Sequence, residues 1–488
     1  MTEYVIEPEK RVTVIHDVEV AVAGGGVSGA FAAMAASMHG ASTLLIERFG
    51  NLGGNIGPGM ICQGHMSSGQ PHPKAPYEAG IYPGFMGLAK EFIERYRDLG
   101  GGCLPPDSPC HYPRDSNIAS YVMGKMLEEK GVELMLSTYA SDPIVNGDRV
   151  RGIFVEGKSG RRAVRAEVVI DATGDVDVVR RAGAPIMRPR QEYQEQDGHS
   201  PTGMGFSFVI GGIDWERYLP YERQHPPSEG DIQWARDSLG EEKARKFEKS
   251  SVLGFLKRAW AEGKYGRQEI QIGGSKVGTK VSFSRIGEED LAWGLAAPER
   301  VEALDVGDSG QISILEAKLR AYVFETVQVF RDYMPGFEDA YLLTIAPYLG
   351  SRGGPCIEGE YTLTLDECKA AKRFDDVIYL YGEFRALRHT CEEGECRWTD
   401  VPYRVMVPKR IDGLLCTGRS ASGIPDTLLR NRMAVKHMGE ACGTAAALCV
   451  RKKVAPRDLD VRELQRVLLD SGFYLGDDGR LRELGLGE

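Results

Sequence analysis

From Val18 to Ala23 the apolar positions first alternate and then run together (VEVAVA), the pattern of a strand buried on both faces. GGGVSG follows at once, and AFAAMAASMHG continues as small, helix-favouring residues up to Gly40. A second apolar run, STLLIER, ends in Glu47. The pattern predicts strand, glycine turn, helix and strand, in that order. Further along, AEVVIDATGD predicts another buried strand over Val168 to Asp171 and a turn at Ala172-Thr173-Gly174-Asp175. Near the C-terminus RIDGLLCTGRSASG repeats that plan, with a short apolar strand entering Thr417-Gly418-Arg419. Between residues 142 and 171 the turn signals NGD and GKSG separate β-branched runs, which predicts a small antiparallel meander beside the parallel sheet.

The patterning changes between about residues 190 and 400. RQEYQEQDGHSPTG is a polar crossing, MGFSFVIGGID reads as a strand, and DIQWARDSLGEEKARKFEKS reads as a charged helix. In SILEAKLRAYVFETVQVFRDYM, Ile314, Leu315, Leu319, Val323, Val327 and Phe330 recur at helical spacing, so this helix should bury one face. The simplest arrangement is a discontinuous nucleotide-binding domain (residues 1–200 and 401–455) with a covering domain inserted at 201–400. Residues 456–488 then supply a short helix, DVRELQRVLLDSGF, and a polar tail.

The glycines carry the first chemistry. Gly24, Gly26 and Gly29 fit G-x-G-x-x-G, in which the first glycine makes the tight turn, the second admits a pyrophosphate and the third lets helix and strand pack closely. Val27 and Ser28 open the helix, where free N–H groups and the helix dipole favour an anion. Glu47 lies about 20 residues beyond the glycines, where a carboxylate accepts hydrogen bonds from a ribose hydroxyl. Strand, motif, helix and acidic strand end together indicate a dinucleotide site. Residues 209–214, VIGGID, have neither the third glycine nor a following helix of small residues, so a dedicated NAD(P)H domain is not expected.

Composition narrows the function classes. With 488 residues, two or three domains are expected, and 42% hydrophobic and 27% charged residues suit a soluble globular chain. A net charge of −10 without a basic run argues against nucleic-acid binding. No signal peptide and no membrane span are expected, so the expected location is the cytoplasm. Ten cysteines are scattered without paired spacing, as in a reduced compartment. His389, Cys391 and Cys396 in HTCEEGEC lack the residues that would complete a zinc quartet, and the four-cysteine iron–sulfur spacing is absent, so no metal is expected.

Seven segments in order carry a resemblance: VAGGGVSGAFAA, LLIERFGNLGG, IDATGDVDVVRRAGAP, PGFEDAYL, GEYTLT, VPYRVMVPKRIDGLLCTGR and GTAAAL. From about residue 5 to 450 the chain resembles the FAD-dependent oxidoreductases related to fumarate reductase and succinate dehydrogenase flavoproteins, and within them the bacterial branch carrying LIER.G.LGG. The resemblance implies an α/β chain with a Rossmann-like FAD-binding domain of the glutathione-reductase type and an inserted α+β substrate-covering domain. It implies FAD as cofactor, with Gly24 to Gly29 on the pyrophosphate, Glu47 on the adenosine ribose and the Thr173-Gly174-Asp175 turn over the adenine side. Gly53 and Gly54 would let the backbone pass close to the pyrophosphate and ribityl chain, to which Asn55 would donate. Gly418 and Arg419 would approach the same groups, and Arg48 and Ala140 join the expected FAD contacts. The last helix, from about Met433, would aim its N-terminus and Arg432 at the pyrimidine end of the flavin, stabilising negative charge there.

The flavin would exchange hydride at N5 with a small polar organic substrate while the protein moves a proton. An imidazole suits that task, so His65 and His437 are candidates, although a lone histidine is more often structural. Arg352, in LGSRGGPCIEGEY, is a candidate carboxylate or carbonyl clamp and equally a bridge between domains. Relatives carry a longer Arg- and Glu-bearing segment there; here Gly-Gly-Pro-Cys replaces it, which weakens any transfer of substrate. Cys62 has no basic neighbour to lower its pKa and reads as packed rather than reactive. Two alternatives stay open: an electron-relay subunit of a larger redox complex, and a redox-neutral flavoenzyme. A homo-oligomer or a redox partner protein is compatible with these readings.

Overall fold

The computed structural model describes residues 4–60, 86–101, 115–187, 204–270, 272, 276–286, 290–298, 304–351, 353–381, 399–424, 428–430 and 432–487. The first sheet begins with β1 (Val14–Ala23), followed by helix α1 (Val27–Met38) and β2 (Thr43–Ile46). It adds β3 (Glu133–Met135), β4 (Tyr139–Asn146), β5 (Arg149–Gly157) and β6 (Gly160–Asp171) in the order β3-β2-β1-β6-β5-β4. Strands β3, β2, β1 and β6 are parallel, and β4 to β6 form the antiparallel meander. The strand Leu414–Cys416 returns from far along the chain to lie parallel to the end of β6, with Cys416 opposite Asp171. The parallel strand ends are buried on both faces, which is why VEVAVA and EVVID read as near-continuous apolar runs. This is a Rossmann-like fold.

Helix α1 and the long helix Arg432–Lys452 pack on each other, and both pack on this sheet. Small residues permit the close approach: a Cβ on Gly439 would lie 2.2 Å from the Ser28 carbonyl oxygen, and one on Gly443 would lie 1.9 Å from that of Ala32.

A second, antiparallel sheet centres on the strand Met204–Gly211, flanked by Leu291–Pro298 and Tyr341–Ile345, with Lys276–Ile286 and Gln268–Glu269 beyond. The helix Ser309–Tyr333 packs on it, burying Leu315, Leu319, Val323, Val327 and Phe330 and half-burying Ile314. The segment expected as one charged helix is two, Glu229–Leu239 and Glu241–Phe247, because Gly240 takes φ +94° and ends the first.

Two segments sit elsewhere than the sequence suggests. Leu363, Leu365, Cys368, Phe374, Ile378 and Tyr379 belong to the core of the first sheet, so the chain re-enters that core well before residue 401. The expected polar tail also docks: Leu475 and Leu484 pack with Val377 and Leu380, and Arg480 pairs with the fully buried Asp400 at 3.1 Å. The alternating charges of that tail hide a spaced leucine pair.

Candidate cofactor-binding site

The glycine turn has the division of labour its spacing implies. Gly24 takes φ +105°, and a Cβ there would lie 2.5 Å from the Ala172 carbonyl oxygen, so the turn is pressed against the end of β6. A Cβ on Gly29 would meet the Gly24 carbonyl oxygen at 1.9 Å, which is the close helix-to-strand packing. A Cβ on Gly26 would meet nothing within 4 Å. Open space at the N-terminus of α1 is what a pyrophosphate requires.

Glu47 is buried, and its carboxylate accepts from Gly25 N (2.6 Å) and Phe49 N (2.9 Å). Burial pushes its pKa upward against the pull of those hydrogen bonds and of Arg48. The side chain thus locks the second strand end to the glycine turn. The exposed Arg48 lies over Phe49, 4.8 Å from the ring centre.

The LGG loop is laid directly on the turn. Gly53 pairs with Gly26 in a parallel bridge and donates to the Gly25 carbonyl oxygen at 2.9 Å. The other side of the loop is held by the second sheet. Asn55 Nδ2 donates to the Ser351 carbonyl oxygen (3.1 Å), and Trp293 Nε1 donates to that of Met60 (3.1 Å). The Asn55 amide, expected on the pyrophosphate or ribityl chain, is instead a tether to the second sheet.

The turn after β6 is organised by a residue that sequence reasoning passed over. Asp171 is fully buried; Oδ1 accepts from Thr173 N (3.0 Å) and Thr173 Oγ1 (2.7 Å), and Oδ2 accepts from Val178 N (3.0 Å) and Val179 N (2.9 Å). The signal was an aspartate closing an otherwise apolar strand. A Cβ on Gly174 would meet nothing within 4 Å, so this turn also faces open space. Burial, and then the Asp175 and Asp171 carboxylates, raise Asp177 to about 6. Arg419 spans the turn: its guanidinium donates to the Gly174 carbonyl oxygen, to Asp175 Oδ1 (2.5 Å) and to the Pro355 carbonyl oxygen (3.3 Å). Those contacts hold the returning strand to the turn. Gly418 takes φ +86°, and a Cβ there would press on Ser28 Oγ at 2.5 Å. Ala140 is buried in β4, where its carbonyl accepts from Arg181 at 3.4 Å.

His437 lies away from the glycine turn. Residues 437 and 439 are about 200° apart around a helix of 3.6 residues per turn, and Gly439 faces α1. The imidazole is buried near Tyr379 and Phe473, and Nε2 accepts from Met86 N at 3.4 Å. One turn on, Glu440 accepts from Leu88 N at 2.9 Å. Met86 has no side-chain cap to offer, so these two side chains cap the helix Gly87–Asp98. Burial and the neighbouring Lys436 push His437 from 6.5 down to about 3, so the imidazole is neutral near pH 7 and is engaged as the acceptor of Met86 N. His65, Arg352 and Cys62, with His389, Cys391 and Cys396, lie outside the described residues, as do the side chains of Arg432 and Met433. The helix they were expected to open does begin at Arg432.

This clip predicts a pH dependence of stability with two opposed arms. His437 is depressed on folding, so its contribution is present above 6.5 and is lost as pH falls from there toward about 3. Burial raises Glu440 from 4.5 to about 8, so its contribution is full below 4.5 and is lost as pH rises toward 8. The arms cancel between 4.5 and 6.5, leaving a decline toward pH 8 that belongs to Glu440 alone. Melting temperatures across this range should show that alkaline decline in the wild type and a flattened one in Glu440→Gln. An equal decline in both proteins would remove Glu440 as its source.

A sequence profile described as FAD dependent oxidoreductase matches residues 19–468. The chain belongs to this family. It is an enzyme of the FAD-dependent oxidoreductase class, and FAD is its cofactor. The open positions at Gly26 and Gly174, the free start of α1 and the Glu47 carboxylate fit that cofactor. Among curated relatives, a thiamine thiazole synthase of Pyrobaculum calidifontis is 31% identical over 174 residues, 33% of this chain and 59% of that protein. Digeranylgeranylglycerophospholipid reductase 2 of Methanopyrus kandleri is 29% identical over 176 residues, 35% and 41% of the two chains. The chain therefore spans 59% or less of the length of these two relatives. A solved geranylgeranyl bacteriochlorophyll reductase-like structure from Thermoplasma acidophilum aligns over 96% of this chain and 90% of its own, with a TM-score of 0.41 and 12% identity. Among the described residues no helix is long and apolar enough to cross a membrane.

Proposed function

We propose that the protein is a dehydrogenase or reductase acting on a small polar organic molecule, with the narrower kinship to fumarate reductase and succinate dehydrogenase flavoproteins. FAD, when bound, supplies the redox chemistry by taking or giving hydride at N5. The reading rests on the double tether of the loop Asn51–Met60, which runs from the glycine turn to the second sheet through Asn55 and Trp293. A loop held on both sides makes a fixed wall, and a fixed wall orients a substrate and excludes water at low reorganisation cost.

In this reading the chain's own residues divide the work. The start of α1 and the turns at Gly26 and Gly174 hold the nucleotide. The sheet face bearing Trp293 covers the loop. His65, five residues beyond Met60 in the sequence, moves the proton, and Arg352 binds an anionic group of the substrate. Arg432, at the head of its helix, places positive charge beside the ring.

Anaerobic mixing of the FAD-loaded protein with a panel of small polar metabolites tests the proposal. A substrate should bleach the visible flavin absorbance, or restore it after chemical reduction. If none does so and the protein co-purifies with a cluster-bearing partner, the relay reading replaces this one. Activity that requires FAD but consumes no electron acceptor would make the enzyme redox-neutral.

A further inference from the structure

Tyr348 lies between the strands Tyr341–Ile345 and Gly350–Ser351 of the second sheet, far in sequence from the nucleotide motif. Its ring nevertheless stacks on Phe49, directly after the Glu47-Arg48 pair, with centroids 4.6 Å apart and planes at 21°. Arg48 sits over the same ring at 5.4 Å. The hydroxyl reaches further in. A Cβ built on Gly54 would lie 3.8 Å from Tyr348 Oη, 3.9 Å from Val27 N and 3.0 Å from Gly26 Cα. Oη and the first N–H of α1 therefore border one spot, in the gap between the glycine turn and the LGG loop.

Among the described residues this hydroxyl makes no hydrogen bond, although the ring is fixed by the stack. Burial pushes its pKa up, Arg48 pulling against it and Glu47 and Asp175 adding to it, so it keeps its proton and remains a donor. A rigid donor beside an anion-binding helix start is suited to a phosphate oxygen.

We infer that Tyr348 is a cofactor-binding residue supplied by the second sheet, whose hydroxyl donates to the pyrophosphate of FAD.

The test is Tyr348→Phe, which keeps the ring and its stack while removing the hydroxyl. Titration of the apoprotein should give a Kd for FAD raised about tenfold, the expected weight of a hydrogen bond to a charged group. ADP, which carries both phosphates without the flavin, should be weakened by the same factor. Phosphorus NMR of the FAD-loaded variant should show the pyrophosphate resonances displaced. Tyr121→Phe, at an exposed site on the helix Ser116–Glu129, should change none of these. An unchanged Kd overturns the inference. So does a raised Kd with unmoved resonances, because that outcome makes Tyr348 a packing residue only.

Discussion

Replacing Gly26 with valine yields a folded protein that no longer holds FAD. The backbone at Gly26 is extended, with φ −71° and ψ −172°, a conformation open to any residue. A Cβ there meets nothing within 4 Å, so the backbone and the first added carbon meet neither strain nor clash in the apoprotein. The added methyl groups occupy the space over the start of α1 that the pyrophosphate needs. FAD affinity should fall by about a hundredfold or more, equivalent to about 2.7 kcal/mol. Gly29→Ala is the contrasting variant. Its Cβ would lie 1.9 Å from the Gly24 carbonyl oxygen, so α1 must move and the apoprotein loses stability, by about 1–3 kcal/mol as overpacked sites do. Thermal melts of the two apoproteins, alongside fluorescence titration with FAD, separate the roles. A Gly26→Val apoprotein that melts as low as Gly29→Ala would show that the space at Gly26 is structural.

Asp171→Ala is the second large effect, and it falls on stability. The carboxylate accepts four hydrogen bonds from a fully buried position, two of them from Val178 and Val179 at the start of the helix Asp177–Arg181. Alanine leaves both of those buried N–H groups without an acceptor, at about 1–3 kcal/mol each. The loss should total about 3–5 kcal/mol, a large part of the 5–15 kcal/mol typical of a whole protein. Urea unfolding of the apoprotein reads it directly as a lower midpoint. A midpoint within experimental error of the wild type would mean that the turn finds other acceptors and that Asp171 is not its organiser. Asparagine does not rescue fully, because its amide sets two N–H donors where two backbone N–H groups already point.

What could be read in advance follows from how locally each feature is encoded. Gly24, Gly26 and Gly29 are legible because a tight turn, an open approach and a close packing each need the absence of a side chain at a fixed spacing. Glu47 is legible as a carboxylate closing the second apolar strand, but its acceptance from Gly25 N and Phe49 N is not, because both partners are backbone groups. His437 misled because sequence places a residue along a helix, whereas the direction of its side chain depends on which face the helix buries. The glycines at 439 and 443 carried that information. The partners of Asn55 and Arg419, Ser351 and Gly174 with Asp175, come from distant stretches that no local pattern links. Trp293 and Tyr348 escaped notice for the same reason: each reaches its contact from a strand or turn whose own periodicity speaks only of the second sheet.

The return of Leu414–Cys416 to the edge of β6 has a consequence for biosynthesis. The sheet that carries the glycine turn leaves the ribosome early, yet the upper edge of β6 stays open until some 240 further residues have emerged, as residues 171 and 414 mark its two sides. The helix that buries α1 arrives later still, starting at Arg432. Closing so long a loop is entropically slow, and the exposed apolar edge is a site for wrong pairing in the meantime. The nascent chain carries this edge unpaired until residues 414–416 have emerged, so the sheet that holds the glycine turn is completed only after them.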